Sequence, residues 1–178
     1  EKFLTKVEKT KEEQIVRVSG LVSEALRHDA ANDYVAALKT LEQVPEAMRK
    51  QTLIALKGIS AIQVLEWVQK KYDEVVQLKK SIRLRATNRN LKGLREEVDQ
   101  YLKLCPDHPQ MLQLKQQLVD REIKQKTTRD EAYASAVQFR KLQDYAGVLR
   151  ELARIDPEVL EPAMVQLREE ATTAVSRL

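Results

Sequence analysis

Residues 32–45 read NDYVAALKTLEQVP, residues 92–106 read KGLREEVDQYLKLCP, and residues 143–157 read QDYAGVLRELARIDP. Set Tyr34, Leu94 and Tyr145 as position zero. Four residues on stand Leu38, Val98 and Leu149; seven on, Leu41, Tyr101 and Leu152; ten on, Val44, Leu104 and Ile155. Apolar residues at 0, 4, 7 and 10 line one face of a helix. Pro45, Pro106 and Pro157 follow within two residues, where a helix must stop. A unit that recurs in this way points to a helical array rather than to an enzyme pocket.

The match continues upstream without a gap. Eight residues before zero stand Leu26, Ala86 and Val137, and twelve before stand Val22, Ile82 and Tyr133. Each unit is therefore expected to hold a helix A, a polar turn and a helix B. Asp33 and Asp144 are expected N-caps of helix B, because a carboxylate accepts the unpaired amide hydrogens of a helix start. The middle unit has Gly93 at that place, which moves the expected cap to Asn90. A third helix is expected from Pro45-Glu46, Pro106-Asp107 and Pro157-Glu158, since proline suits a first helical turn and an acid suits its positive end. Between Glu46 and Ala86 there is no proline and a single glycine, Gly58, which predicts one helix of roughly 60 Å. Ile54, Ala61, Val68, Val75 and Ile82 recur in it every seven residues, with Gly58, Leu65 and Tyr72 between them and Trp67 beside the seam. The next such segment, about 107–142, has a nearly all-polar middle, DREIKQKTTRDEA. There Thr128 and Glu131 form an expected capping box, with a bend or break near 124–129. The polar run EKTKEEQ at 8–14 leaves the first turns of the opening segment, about 2–28, expected to be exposed or frayed.

Composition agrees with a helical chain. Of 178 residues, 43% are apolar and 33% charged, with four glycines and five prolines, so breakers are scarce. No alternating run is long enough for a strand. The net charge of +4 falls short of a nucleic-acid-binding tail. The single cysteine, Cys105, excludes an internal disulfide and fits a reducing, cytoplasmic compartment. No apolar run reaches the roughly 18–20 residues of a membrane span, and no signal-peptide core is visible. A chain that opens on Glu1 reads as a piece of a longer protein.

The repeated phrase resembles the second half of a tetratricopeptide hairpin: an early tyrosine, small residues (Ala36 and Ala37, or Ala146 and Gly147), a leucine, and a closing proline. The starts at 34, 94 and 145 lie 60 and 51 residues apart, against about 34 in that family. The Trp and Leu-Gly signature of its first helix is absent, so the chain looks like a divergent relative with long shared helices. The phrases DYVAALKTLEQVPEAMR, LKGLREEVDQYLKLCPDHPQMLQLKQQL and DYAGVLRELARIDPEVL, which span most of the chain, resemble helical regions that follow Ser/Thr protein-kinase domains in some bacteria. That resemblance implies a regulatory accessory segment. The glycine-rich loop, catalytic loop and DFG motif of a kinase are absent, and no catalytic residue carries over.

Three places in the sequence invite a chemical reading. Cys105-Pro-Asp-His108 has the spacing of half a zinc site, but a site needs three or four ligands and the only other histidine is His28. The plainer reading is a turn between helices in which Asp107 caps the next one. His28 has no nucleophile at useful spacing, and Trp67 and the tyrosines read as core or groove-edge residues. The segment 79–95, KKSIRLRATNRNLKGLR, is the sharpest anomaly. It carries Lys79, Lys80, Arg83, Arg85, Arg89, Lys92 and Arg95 and no acid. It reads as a docking patch for an acidic partner, weighed against a solvated helix end whose cations suit the negative end of the dipole. Missing interleaved aromatics place nucleic acid behind protein as the partner.

The expectation is an all-α, elongated array of helical hairpins, similar to a tetratricopeptide superhelix, with two long helices shared between units at about 12–60, 61–125 and 126–178. No catalytic, cofactor or metal site is expected. The function that follows is a non-catalytic scaffold for a protein or peptide partner, with no membrane span. The alternative is a coiled-coil-like homodimer or spacer built on the heptads at 54–82.

Overall fold

The computed structural model describes residues 2–177, with side chains from residue 8 onward. It is all-α, with seven helices among the described residues: α1 (Lys2–Ala30), α2 (Tyr34–Glu42), α3 (Ala61–Thr87), α4 (Leu94–Leu104), α5 (Pro109–Lys141), α6 (Tyr145–Leu152) and α7 (Pro162–Ser176). Two strands of two residues each, β1 (Thr52–Leu53) and β2 (Ile59–Ser60), pair antiparallel. The chain divides into two compact units, Glu1–Leu112 and Gln113–Leu178.

The three repeated phrases become α2, α4 and α6, each the second arm of a helical hairpin. In all three hairpins the first arm ends in the same way. Asn32, Arg89 and Gln143 have φ of 60°, 55° and 59°. The amide of each donates three residues back, to Asp29, Ala86 and Arg140. The next amide, of Asp33, Asn90 or Asp144, donates five back, to His28, Arg85 or Phe139. Two carbonyls that a helix end would leave unpaired are thereby satisfied around one left-handed residue. Asp33 then accepts from the Ala36 amide at 3.0 Å, and Asp144 from the Gly147 amide at 2.8 Å, so both cap the second arm as expected. The middle hairpin differs. Its cap position is Gly93, with φ 71° and no side-chain bond, and Asn90 lies three residues before it in the turn, not at the helix start.

The first unit builds its core from the 0-4-7-10 face of α2 and the matching faces of α1 and α3. Val18, Val22 and Ala25 meet Tyr34, Ala37, Leu41 and Val44, and Ala61, Val64 and Val68 close the layer. Each buried Val or Leu removes enough apolar surface to contribute about 1.5–3 kcal/mol. Tyr34 also donates from its hydroxyl to the Leu104 carbonyl at 2.6 Å, tying α2 to the end of α4. The polar run 8–14 is helical and exposed; the expectation for the turns before it falls on side chains outside the described residues.

The single helix expected over 46–86 does not form. A 3-10 turn over Glu46–Met48 is followed by β1, a second 3-10 turn over Ile54–Leu56, β2, and only then α3. Three features account for the interruption. Leu53 is fully buried in the first core, which draws the chain inward. Lys57 and Gly58 take φ of 58° and 81°, a reversal that glycine makes cheap. Gln63 accepts from the Ser60 amide at 2.9 Å and its hydroxyl at 3.1 Å, one half of a capping box that starts α3. The Arg49 carbonyl accepts from the Ile62 amide at 2.9 Å, while the Arg49 side chain donates from Nε to the Val44 carbonyl at 3.1 Å, beside the end of α2. Ile54, expected on the heptad seam, is instead 95% exposed in the turn. The rest of the seam is turned inward: Ala61, Val68 and Ile82 are buried, and Leu65, Tyr72 and Val75 pack against the first core.

The other long helix does form. α5 runs unbroken from Pro109 to Lys141, and no capping box interrupts it at Thr128. Partners hold the polar middle: Arg129 pairs with Glu161 at 2.7 Å, and Gln125 donates to Asp156 at 2.6 Å. Those acids lie in the segment after α6, beyond the reach of a periodicity argument. α5 starts two residues later than expected, and the residue before it is His108, not Asp107; the Met111 amide donates to His108 Nδ1 at 3.4 Å and to its carbonyl at 3.1 Å. After Pro157 comes only a 3-10 turn, with the next α-helix at Pro162. Asp156 accepts from the Glu158 amide at 3.0 Å there, which holds its carboxyl below the ordinary aspartate range.

The second unit repeats the hairpin logic. Ala132 and Ala136 of α5 pack on Val148 and Leu152 of α6, and Ile155, Met164, Leu167 and Ala171 complete the core. Gly147 leaves no room for a side chain: a Cβ there would lie 2.5 Å from the capping Asp144 carboxylate and 2.8 Å from the Phe139 ring.

Candidate docking surface on the third helix

The seven cations of 79–95 separate into two groups once folded. Arg85 is turned inward. One of its terminal nitrogens binds Glu97 at 2.5 Å and the other the Lys92 carbonyl, while Ser81 donates to the second Glu97 oxygen at 2.8 Å. Arg95 pairs with Asp99, one turn on, at 3.9 Å. Lys79, Lys80, Arg83, Arg89 and Lys92 are exposed, and among the described residues they make no ion pair.

The three hairpins, set side by side, place Arg85 in the fold. Counted from the left-handed residue that ends each first arm, Arg85 stands where the first hairpin has His28 and the third Phe139. Glu97, three after zero, stands where they have the buried Ala37 and Val148. The middle hairpin therefore has a charge pair at positions where neither outer hairpin has one. Its left-handed residue, Arg89, comes three positions earlier relative to zero, and the turn is three residues longer. The guanidinium lies in that enlarged turn, 3.5 Å from where a Gly93 Cβ would stand. The Arg85 Nε is buried with no partner among the described residues, a deficit of about 1–3 kcal/mol set against the ion pair.

Around three of the five outward cations lies a feature that charge counting misses. Val76, Lys79, Lys80, Arg83, Leu84 and Thr87 line an open groove of about 490 Å³. Steps of three, four, seven, eight and eleven from Val76 place all of them on one side of α3. Val76 is 43% and Leu84 60% exposed. Their signal was present in sequence as residues off the heptad: Val76 follows the seam residue Val75, and Leu84 lies two beyond Ile82.

The other candidates gather no chemistry. Cys105 is a free thiol, half-buried in the turn after α4, and burial pushes it above its ordinary value, against a hydrogen bond from Tyr101 and the nearby Lys79 charge. The His108 and Tyr101 rings pack T-shaped, with 5.3 Å between their centres. Among the described residues no cluster of three or more His, Cys, Asp or Glu could hold a metal ion. His28 sits 3.8 Å from Glu24 on the same helix. Trp67 is 57% exposed, not core, and Lys71 lies 5.7 Å from its ring centre while pairing with Asp29 at 2.7 Å. No helix among the described residues is long and apolar enough to cross a membrane. Comparison with protein-family models, with curated proteins and with solved structures finds no match for this chain.

Proposed function

We propose that the chain is a non-catalytic scaffold for protein–protein interaction, built as a divergent tetratricopeptide-like array of three hairpins. Its setting in this reading is a regulatory accessory segment of a bacterial, cytoplasmic Ser/Thr protein kinase, as the sequence resemblance implies. The observation that carries the scaffold reading is the groove on α3, where two exposed aliphatic side chains lie among exposed cations. Exposed apolar surface rimmed by polar groups is the usual mark of a protein contact. The heptads that would support a homodimer face the chain's own core instead.

A photo-crosslinking residue placed at Val76 or Leu84, with Ile54 and Leu142 as exposed apolar controls, tests this in cells. Discrete protein adducts are expected from 76 and 84 and not from the controls. Equal adducts from all four positions, or none from any, would contradict the scaffold reading.

A further inference from the structure

We infer that the α3 groove takes an acidic amphipathic helix, with two aliphatic anchors seated at Val76 and Leu84 and carboxylates facing Lys79, Lys80 and Arg83. The inference rests on the scaffold reading and adds the chemistry of the partner. Val76 and Leu84 stand eight residues apart, about 12 Å along the helix. Two aliphatic residues seven or eight apart on a partner helix match that distance. Lys79, Lys80 and Arg83 fall between the two anchors in sequence, and among the described residues none of them makes an ion pair.

The backbone of the occupant must also be accounted for. Lysine, arginine, valine, leucine and one threonine hydroxyl line the groove. Among the described residues nothing there offers a strand edge, so an extended peptide would leave amides and carbonyls unpaired against Val76 and Leu84. A helix satisfies its own backbone and presents only side chains, as in other helix-in-groove contacts. The aliphatic pair also argues against a nucleic-acid strand, which would call for stacking rings. Among the described residues the groove has none, and Trp67, nine residues before Val76, lies on the opposite side of α3.

The test uses the intact 178-residue chain and fluorescence anisotropy with a labelled panel of synthetic helices. These carry leucines seven or eight residues apart with glutamates flanking them. Matched controls replace glutamate by glutamine or leucine by serine, and a single-stranded oligonucleotide serves as a second probe. Saturable, salt-weakened binding of the glutamate–leucine helices is expected. The joint charge reversal Lys79→Glu, Lys80→Glu, Arg83→Glu should weaken it by at least about tenfold and flatten its salt dependence. The pair Val76→Ser, Leu84→Ser should weaken it comparably, and Lys9→Glu, Lys11→Glu, on the exposed start of α1, should leave it unchanged. Thermal melts establish that each variant is folded.

Equal binding of the glutamine helices would overturn the acidic partner and leave the scaffold standing. Tighter binding of the oligonucleotide, indifferent to the serine pair, would overturn both. Absence of binding by every helix in the panel would overturn the inference, and the crosslinking result would then decide the scaffold reading on its own.

Discussion

Arg85 and Glu97 show how one pair of side chains resets a local structure. In the outer hairpins the corresponding positions hold His28 with Ala37 and Phe139 with Val148, and neither is a charge pair. A guanidinium and a carboxylate need more room, and the middle turn supplies it with three additional residues and a carbonyl for the second Arg85 nitrogen. The pair is about three-quarters removed from solvent on each side, so deleting one partner strands the other. Arg85→Ala is expected to destabilise the chain by about 1–3 kcal/mol. The double variant Arg85→Ala, Glu97→Val, which removes both charges, is expected to lose less than the sum of its single changes. Additive losses in urea melts would mean that the two residues do not act as a pair. Arg85 entered the sequence-level patch because counting charge along a segment cannot tell an inward cation from an outward one. The Glu97 that claims it is twelve residues away.

The helix ends were legible where a local rule governs them and lost where a distant contact does. Asp33 and Asp144 stand just before an apolar periodic run, which is why their capping could be read directly. The break at 52–60 was hidden for the opposite reason. The heptad passes smoothly from Ile54 to Ala61, and what overrides it is burial of Leu53 against α1, at least 23 residues earlier in the chain. Gly58 was the one visible hint. The continuity of α5 departs from the expected break for a similar reason: its polar middle is held by Asp156 and Glu161, which satisfy Gln125 and Arg129 from about 31 residues on. The shared left-handed turn offers a test of the repeat itself. Gln143 adopts φ 59° without being glycine. Gln143→Gly is expected to stabilise the chain by about 0.5–1 kcal/mol, by relieving the cost of a left-handed side-chain-bearing residue. A lowered melting temperature would contradict the assigned backbone.

For the whole molecule, the periodic pattern in the sequence conveyed the class of fold, and much of the rest lay in which faces are left over after packing. α3 carries two apolar patterns. The heptad from Ala61 to Ile82 goes into its own unit. The offset residues Val76 and Leu84 stay outside with Lys79, Lys80 and Arg83. The basic stretch was readable as an anomaly, but its division into a structural arginine and an outward-facing groove needed the hairpin to be folded. The central claim is that this groove is where the chain meets a helical acidic partner. Backbone amide chemical-shift mapping of the 20.5 kDa chain during titration with the glutamate–leucine helix tests it most directly. The account expects saturable shifts concentrated at residues 76–87, with the buried seam at 61–68 and the second hairpin arm, α4, much less affected. Shifts centred elsewhere, around Trp67 or on α6 and α7, or no shifts at saturating peptide, would contradict it.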